Sequence, residues 1–392
     1  MKITQVEVMQ VKCDRPTWRP VVCRIHTDEG IYGDGEAALA YGVASSGAFG
    51  MVKDLSKLII GMDPLENEVI WDKLYKATFW GQNGGPVVFA GISALDIALW
   101  DIKGKYFKVP VYKLLGGKFR DNIRCYASQL QFGWGAEREP AQSIQDYVDN
   151  CKKAVAEGYD AVKIDFFTFD EKDGHEFNAE ERTRLLEPRY VNMIERRIAA
   201  VRDAIGPNVD IIMENHSFID SNGAVQLGRV AQKYNIFYYE EPNTPDPKMT
   251  KYICDKLQMP IAHGERLFSR WQYAKYYENN SVQVIQPDIG NCGGLTEAKK
   301  ICDMAYVYDV SVQAHVCASP LSTAVALHLE AAIPNFVIHE HHVNNLLKYN
   351  KILAIKDLQP INGRYKIPED PGLGNELSDF CFKNTLDKAV IE

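Results

Sequence analysis

Val209-Asp210-Ile211-Ile212-Met213-Glu214 is a short apolar run that ends on a carboxylate. Further on, Ile236-Phe237-Tyr238-Tyr239-Glu240 ends in the same way. Glu265 then follows Met259-Pro260-Ile261-Ala262-His263-Gly264, and Asp288 follows Val282-Gln283-Val284-Ile285-Gln286-Pro287. His315 closes Val310-Ser311-Val312-Gln313-Ala314, and Glu340 closes Phe336-Val337-Ile338-His339. The steps between these polar residues are 26, 25, 23, 27 and 25 residues. Each interval accommodates one strand, one helix and two loops, so the repeating unit is βα. A polar residue at the carboxyl end of every strand is the pattern of a (β/α)₈ TIM barrel, which keeps its chemistry on that face.

Upstream, Ile123–Ala127 and Tyr159–Ile164 supply two further strands and bring the number to eight. Strands that alternate with helices predict a parallel sheet. Residues 1–115 read differently, as an α+β domain. Val21-Val22-Cys23-Arg24-Ile25 runs through Asp28-Glu29-Gly30 into Ile31-Tyr32-Gly33, a hairpin signal. Val88, Ile92, Leu95, Leu99 and Ile102 then follow a helical period, bounded by Gly104 and Pro110. The barrel domain is expected over 116–355. Residues 356–392 are rich in Pro and Gly and are expected to pack back on the first domain. One interval is out of register: the surplus of residues 166–188 leaves the end of the second strand. It is read either as a shielding or subunit-contacting insertion or as a loop with its aromatics tucked down.

The composition of the 392 residues is ordinary for a globular chain, with 46% hydrophobic and 24% charged residues. A net charge of −8 without a basic run argues against nucleic acid or an anionic membrane as partner. Nine cysteines without CxxC spacing suggest reduced core thiols and a cytoplasmic setting. No apolar run is long enough to span a bilayer. A homo-oligomer is expected.

Glu214, Glu240 and Glu265 end three successive strands. Three hard oxygen donors at one point suit Mg²⁺ better than Zn²⁺. Glu241 alternates to the opposite side of its strand and is assigned a structural role. Asp288 and His315 end neighbouring strands, and a carboxylate on one imidazole nitrogen makes the other a positioned base. Lys163 and Asp165 share a face, as do Glu214 and His216. Lys163 offers a cation to an anionic substrate, and Glu340 completes the ring. Three carboxylates, one Mg²⁺ and a substrate carboxylate sum to −2, which Lys163 and a protonated His216 restore to neutrality. The tract His339-Glu340-His341-His342 lacks the HExxH spacing of a zinc site. In the loop Asp14-Arg15-Pro16-Thr17-Trp18-Arg19-Pro20, Trp18 and Arg19 are candidates for substrate hydroxyl recognition.

These residues together resemble the enolase superfamily, in its mandelate racemase-like branch, over essentially the whole chain. The resemblance is carried by Ser93-Ala94-Leu95-Asp96-Ile97-Ala98-Leu99-Trp100-Asp101, Leu114-Leu115-Gly116-Gly117, Glu240-Glu241-Pro242, Gln286-Pro287-Asp288, Gly293-Gly294 and Pro371-Gly372-Leu373-Gly374. Gly264-Glu265-Arg266-Leu267-Phe268-Ser269-Arg270-Trp271 is most similar to galactonate dehydratase-like acid-sugar dehydratases, which also carry a histidine at the place of His216. Glu214 stands where those proteins usually have Asp. Lys163-Ile164-Asp165 replaces the Lys-x-Lys of mandelate racemase, which favours a dehydratase over a two-base racemase.

The resemblance implies an N-terminal capping domain over a modified TIM barrel. It also implies a Mg²⁺-dependent hydro-lyase acting on a small anionic sugar acid. His315, oriented by Asp288, would take the C2 proton. Lys163 and Glu340 would stabilise the enediolate, and His216 would protonate the departing 3-hydroxyl. Asp165 and Arg266 join Trp18 and Arg19 as expected substrate contacts. A hydroxy-acid racemase or epimerase and a non-catalytic sensor are the alternatives.

Overall fold

A computed structural model describes residues 1–183 and 185–392. The N-terminal sheet is a meander of β1 (Ile3–Val11), β2 (Val21–Thr27) and β3 (Tyr32–Ala37). Gly30, at φ 77°, turns the hairpin between β2 and β3. A helix over Pro86–Phe107 lies on this sheet, with Pro86 in its first turn and left-handed Lys108 ending it. Its surface is buried nearly all round rather than along one stripe. The close approach is a property of β3: a Cβ on Gly35 would stand 1.9 Å from the Ala94 carbonyl oxygen.

The barrel strands follow in chain order: β4 (Asn122–Ser128), β5 (Ala161–Ile164), β6 (Asp210–Glu214), β7 (Ile236–Glu240), β8 (Ile261–His263), β9 (Val284–Ile285), β10 (Ser311–Val312) and β11 (His339–His342). They pair in sequence order as parallel neighbours from β4 to β10, and β11 pairs with β4. The remaining seam is bridged at Val312 and Phe336, where the Val337 amide donates to the Val312 carbonyl at 2.9 Å. β9 and β10 stop short of the expected strand ends at 287 and 315. Pro287 has no N–H to donate, yet the Gln313 amide still reaches the Ile285 carbonyl at 3.0 Å.

Tyr126, Ala161, Ile212, Tyr238 and Ile338 pack together inside the barrel. Two residues further along each strand stand Ser128, Lys163, Glu214, Glu240 and Glu340. Strand alternation places these on the same inward side, one layer nearer the carboxyl end. The polar ring therefore sits directly on an apolar plug.

After the barrel, β12 (Arg364–Lys366) pairs antiparallel with β4. β13 (Thr385–Ile391) pairs antiparallel with β1, so the chain's end completes the N-terminal sheet in the order β13-β1-β2-β3. Within the insertion, Phe166, Phe167, Phe169 and Phe177 are buried, and Phe167, Phe177 and Tyr190 form one aromatic cluster. Residue 184 of that segment lies outside the described residues. Among the described residues no helix is long and apolar enough to cross a membrane.

Candidate active site and metal centre

Glu214, Glu240 and Glu265 each offer one carboxylate oxygen, and these oxygens lie within 4.8 Å of one another. They form the only such group of potential metal ligands among the described residues. Glu214 and Glu240 face each other in register across β6 and β7. Glu240 Oε2 is buried and accepts no hydrogen bond among the described residues. A buried carboxylate oxygen without a partner is costly. Burial, with Glu214 and Glu340 facing it, pushes the Glu240 pKa up to about 8 against the pull of Lys163. An oxygen-rich pocket of this kind fits a hard divalent ion.

Lys163 is buried at the centre of this ring. Its Nζ lies 2.5 Å from Glu240, 2.9 Å from Glu340 and 3.3 Å from Glu214. Burial opposes its charge, but the three carboxylates hold its pKa well above the ordinary lysine value. Lys163 is therefore a fixed ammonium. Glu340 also accepts from Ser128 Oγ at 2.7 Å and from the Val316 amide at 3.0 Å.

Two histidine–aspartate couples flank the ring. His315 Nδ1 lies 2.7 Å from Asp288 Oδ2, and its Nε2 lies 3.1 Å from Glu265. With the carboxylate on Nδ1, Nε2 is the nitrogen left to exchange a proton with substrate. Burial lowers the His315 pKa, but Asp288 and Glu340 outweigh it and the net direction is upward. On the other side, His216 Nδ1 lies 3.0 Å from Asp165 Oδ2, and Nε2 lies 3.3 Å from Glu214. Burial is again outweighed, here by Glu214 and Asp165, so His216 tends to hold its proton.

His216 and Ser217 have left-handed backbones, with φ of 48° and 61°. This conformation costs about 1–3 kcal/mol per non-glycine residue and persists where surroundings enforce it. Here Ser217 Oγ donates to the Asn243 carbonyl at 2.9 Å, and the Ser217 amide donates to the Glu241 carbonyl at 2.8 Å. A turn, and not simple strand alternation, aims the imidazole at Glu214.

Several expected substrate contacts have other partners. Asp165 is buried; it holds His216 and accepts from the Phe167 amide at 2.9 Å and Asn215 Nδ2 at 3.3 Å. Arg266 pairs with Glu265 and, at 3.3 Å, with Glu241. Trp18 is fully buried in core packing, 5.9 Å from the Tyr349 ring. Arg19 is exposed and donates to the Pro16 carbonyl at 3.0 Å.

Glu241 is buried against His263 and Arg266, which hold its pKa low against the effect of burial. His339 bonds Glu330 at 2.6 Å, and His341 Nδ1 lies 2.5 Å from the Tyr159 hydroxyl, both away from the ring.

Gln129 escaped the sequence reading. Its amide donates to Glu214 Oε2 at 2.6 Å and lies 3.1 Å from His216 Nε2. It directly follows β4 in a left-handed conformation, φ 69°. The signal is a polar residue at the end of the first strand, the position that the functional residues occupy on the other strands.

A family model described as the mandelate racemase / muconate lactonizing enzyme N-terminal domain matches residues 7–116. One described as enolase C-terminal domain-like matches residues 146–380. The chain belongs to the enolase superfamily, in the branch those two domains define. D-galactonate dehydratase from Pectobacterium atrosepticum is 31% identical over 387 residues, covering 97% of this chain and 93% of that protein. A member of the enolase superfamily from Salmonella Typhimurium superposes with TM-score 0.96 at 51% identity, covering 100% of both chains. The 3,6-anhydro-D-galactonate cycloisomerase of Zobellia galactanivorans superposes with TM-score 0.82 at 25% identity, covering 99% of this chain and 100% of that one. Relatives named dehydratases support an enzyme of the hydro-lyase class; members of the superfamily bind a divalent metal, and the acidic trio of this chain could hold one.

Proposed function

We propose that the chain is a Mg²⁺-dependent dehydratase that converts a sugar acid into its 2-keto-3-deoxy product. The observation that carries this reading is the pair of histidine–aspartate couples on opposite flanks of the carboxylate trio. Glu214, Glu240 and Glu265 would hold the ion. When bound, the cation supplies Lewis-acid stabilisation for charge on the substrate carboxylate.

His315, with Nδ1 fixed by Asp288, takes the C2 proton on Nε2. The negative charge that spreads into the substrate carboxylate is met by the Lys163 ammonium. Fixed charges of this kind need no reorganisation as the reaction proceeds. His216 delivers its Nε2 proton to the 3-hydroxyl, which leaves as water. The resulting enol tautomerises to the ketone. The two histidines finish with one proton gained and one lost, so His315 releases its proton to solvent and His216 takes one back to reset the site. The relative named D-galactonate dehydratase supports the substrate class.

Racemisation requires a second base facing His315. Lys163 is held as an ammonium by three carboxylates and is a poor one, so dehydration is the better-supported outcome.

The test is a panel of mono- and diacid sugars with Mg²⁺, scored for 2-keto product. His315→Asn should abolish both product formation and C2 proton exchange while metal affinity stays within about threefold, since His315 is not a proposed ligand. Normal turnover in that variant would refute the base assignment. C2 exchange without water loss would favour an epimerase, and binding without turnover across the panel would favour a sensor.

A further inference from the structure

Beside the acidic ring the barrel mouth carries a feature of opposite sign. Arg138, in the segment after β4, is half-buried, and its Nη2 donates to Asn344 Oδ1 at 3.5 Å. Arg15, from the loop between β1 and β2, donates to the Tyr349 hydroxyl at 2.9 Å and lies 5.8 Å from that ring's centre. The Tyr349 hydroxyl in turn donates to the same Asn344 oxygen at 2.8 Å. Arg138 thus meets the Asn344 side chain directly and Arg15 reaches it through Tyr349, one guanidinium from each domain. Asn344 Nδ2 reaches Cys317 Sγ at 3.8 Å, and Cys317 is two residues beyond His315. His342 shares its strand face with Glu340, and its Nδ1 accepts from the Asn344 amide at 3.0 Å.

Several other part-buried cations have acids, and Arg120 and Arg202 rest on backbone carbonyls instead. Arg24 pairs with Asp34 at 2.7 Å, Lys105 with Asp101 at 2.8 Å, and Arg270 with Glu297. Among the described residues, neither Arg15 nor Arg138 has a carboxylate within the 4.0 Å of an ion pair. Two like charges drawn together by a hydrogen-bonded bridge, one of them partly desolvated, are unfavourable unless an anion joins them. Burial lowers the Arg138 pKa, and the charge of Arg15 adds to it against the opposing pull of Tyr349. The planar guanidinium fork matches an oxyanion.

The acidic ring already accounts for one end of the substrate, on the reading above. We propose that Arg15 and Arg138 receive a second oxyanion at the far end of the same molecule. The preferred substrates are therefore sugar acids with a charged terminus: a second carboxylate, or a terminal phosphate ester.

This inference rests on the sugar-acid reading, and the test separates the two. The Mg²⁺-loaded protein is assayed on matched sets of monoacid, diacid and terminally phosphorylated sugar acid. Equilibrium binding of each compound is measured in parallel. The wild type should favour one dianionic set over the monoacid by at least about tenfold, the effect of one added charge-assisted contact. Which set wins identifies carboxylate or phosphate. In Arg138→Gln and Arg15→Gln that ratio should fall by about tenfold or more, chiefly through KM. Arg138→Lys, which keeps the charge and loses the fork, should fall between. Thermal melting establishes that each variant is folded. Equal use of monoacid and dianion by the wild type, or an unchanged ratio in both Gln variants, overturns the proposal. If no compound is turned over, the dehydratase reading fails, and the binding ratios still decide this one.

Discussion

Asp165 Oδ2 lies 3.0 Å from Nδ1 of His216, so a carboxylate at the end of one barrel strand holds the imidazole that follows the next. His216 holds Asp165 at a low pKa despite its burial. The arrangement mirrors that of Asp288 and His315 at 2.7 Å on the other flank. Asp165→Asn leaves the shape and removes one of the charges, beside that of Glu214, that raise the His216 pKa. The dehydration kcat should fall by about 10²–10⁴, the usual worth of one general acid, while C2 proton exchange with deuterium stays within a few-fold. Parallel loss of both rates would instead assign Asp165 to the site's architecture as a whole.

Gln129 bridges the proposed ligand Glu214 and the proposed acid His216. Groups that orient metal ligands contribute about 10–100-fold to metal affinity. Gln129→Leu should therefore weaken Mg²⁺ binding by that range, read by titration of the metal without substrate. Unchanged affinity would show that Glu214 needs no such support.

The ring was legible because its signal is geometric. A fixed interval and a two-residue alternation place Lys163, Glu214, Glu240 and Glu340 on one layer, whatever the rest of the chain does. What alternation cannot supply is the partner. Asp165 shares the side of Lys163, and its oxygens meet His216 and the Phe167 amide, partners that alternation does not name. His216 reaches Glu214 only through a left-handed turn, which depends on Ser217 and Asn243 some 26 residues apart. The loop between β1 and β2 was read towards Trp18 and Arg19. Arg15 is the residue that crosses to the barrel, and its partner Tyr349 is 334 positions away. Contacts of that separation leave no local trace. The Gly33 and Gly35 pair in β3 is similar: it reads as a weak strand until a helix is laid across it.

That helix sets the next expectation. A methyl group on Gly35 would meet the Ala94 carbonyl oxygen at 1.9 Å and the Ala98 amide nitrogen at 3.1 Å. The obstruction is helix backbone, which cannot rotate aside. Gly35→Ala should cost about 1–3 kcal/mol or more, seen as a lower denaturation midpoint at unchanged denaturant slope. An unaffected midpoint would mean that the helix and sheet separate more easily than their packing implies.

His328 should govern part of the acid sensitivity. Its Nδ1 accepts from the Tyr112 amide at 3.3 Å and its Nε2 donates to the Leu373 carbonyl at 3.2 Å. It thereby joins a barrel helix to both flanking segments. Burial lowers its pKa from 6.5 to about 4, against the opposing pull of the Leu373 carbonyl. The folded value is depressed, so between these two values the unfolded chain binds the proton and the folded chain does not. The contribution to stability is complete above the unfolded value, shrinks as pH falls and is gone below the folded one. Glu36 and Asp96, both raised to about 7 by burial, act in the opposite direction over the same window. The wild-type profile alone is therefore a sum of opposed slopes. His328→Gln keeps one donor and one acceptor and removes the titration. Relative to wild type, its unfolding free energy should improve by about 2–3 kcal/mol between pH 7.5 and pH 4.5. Denaturant titrations of both proteins at the two pH values measure that difference. A pH-independent difference would show that His328 titrates alike in the folded and unfolded chains.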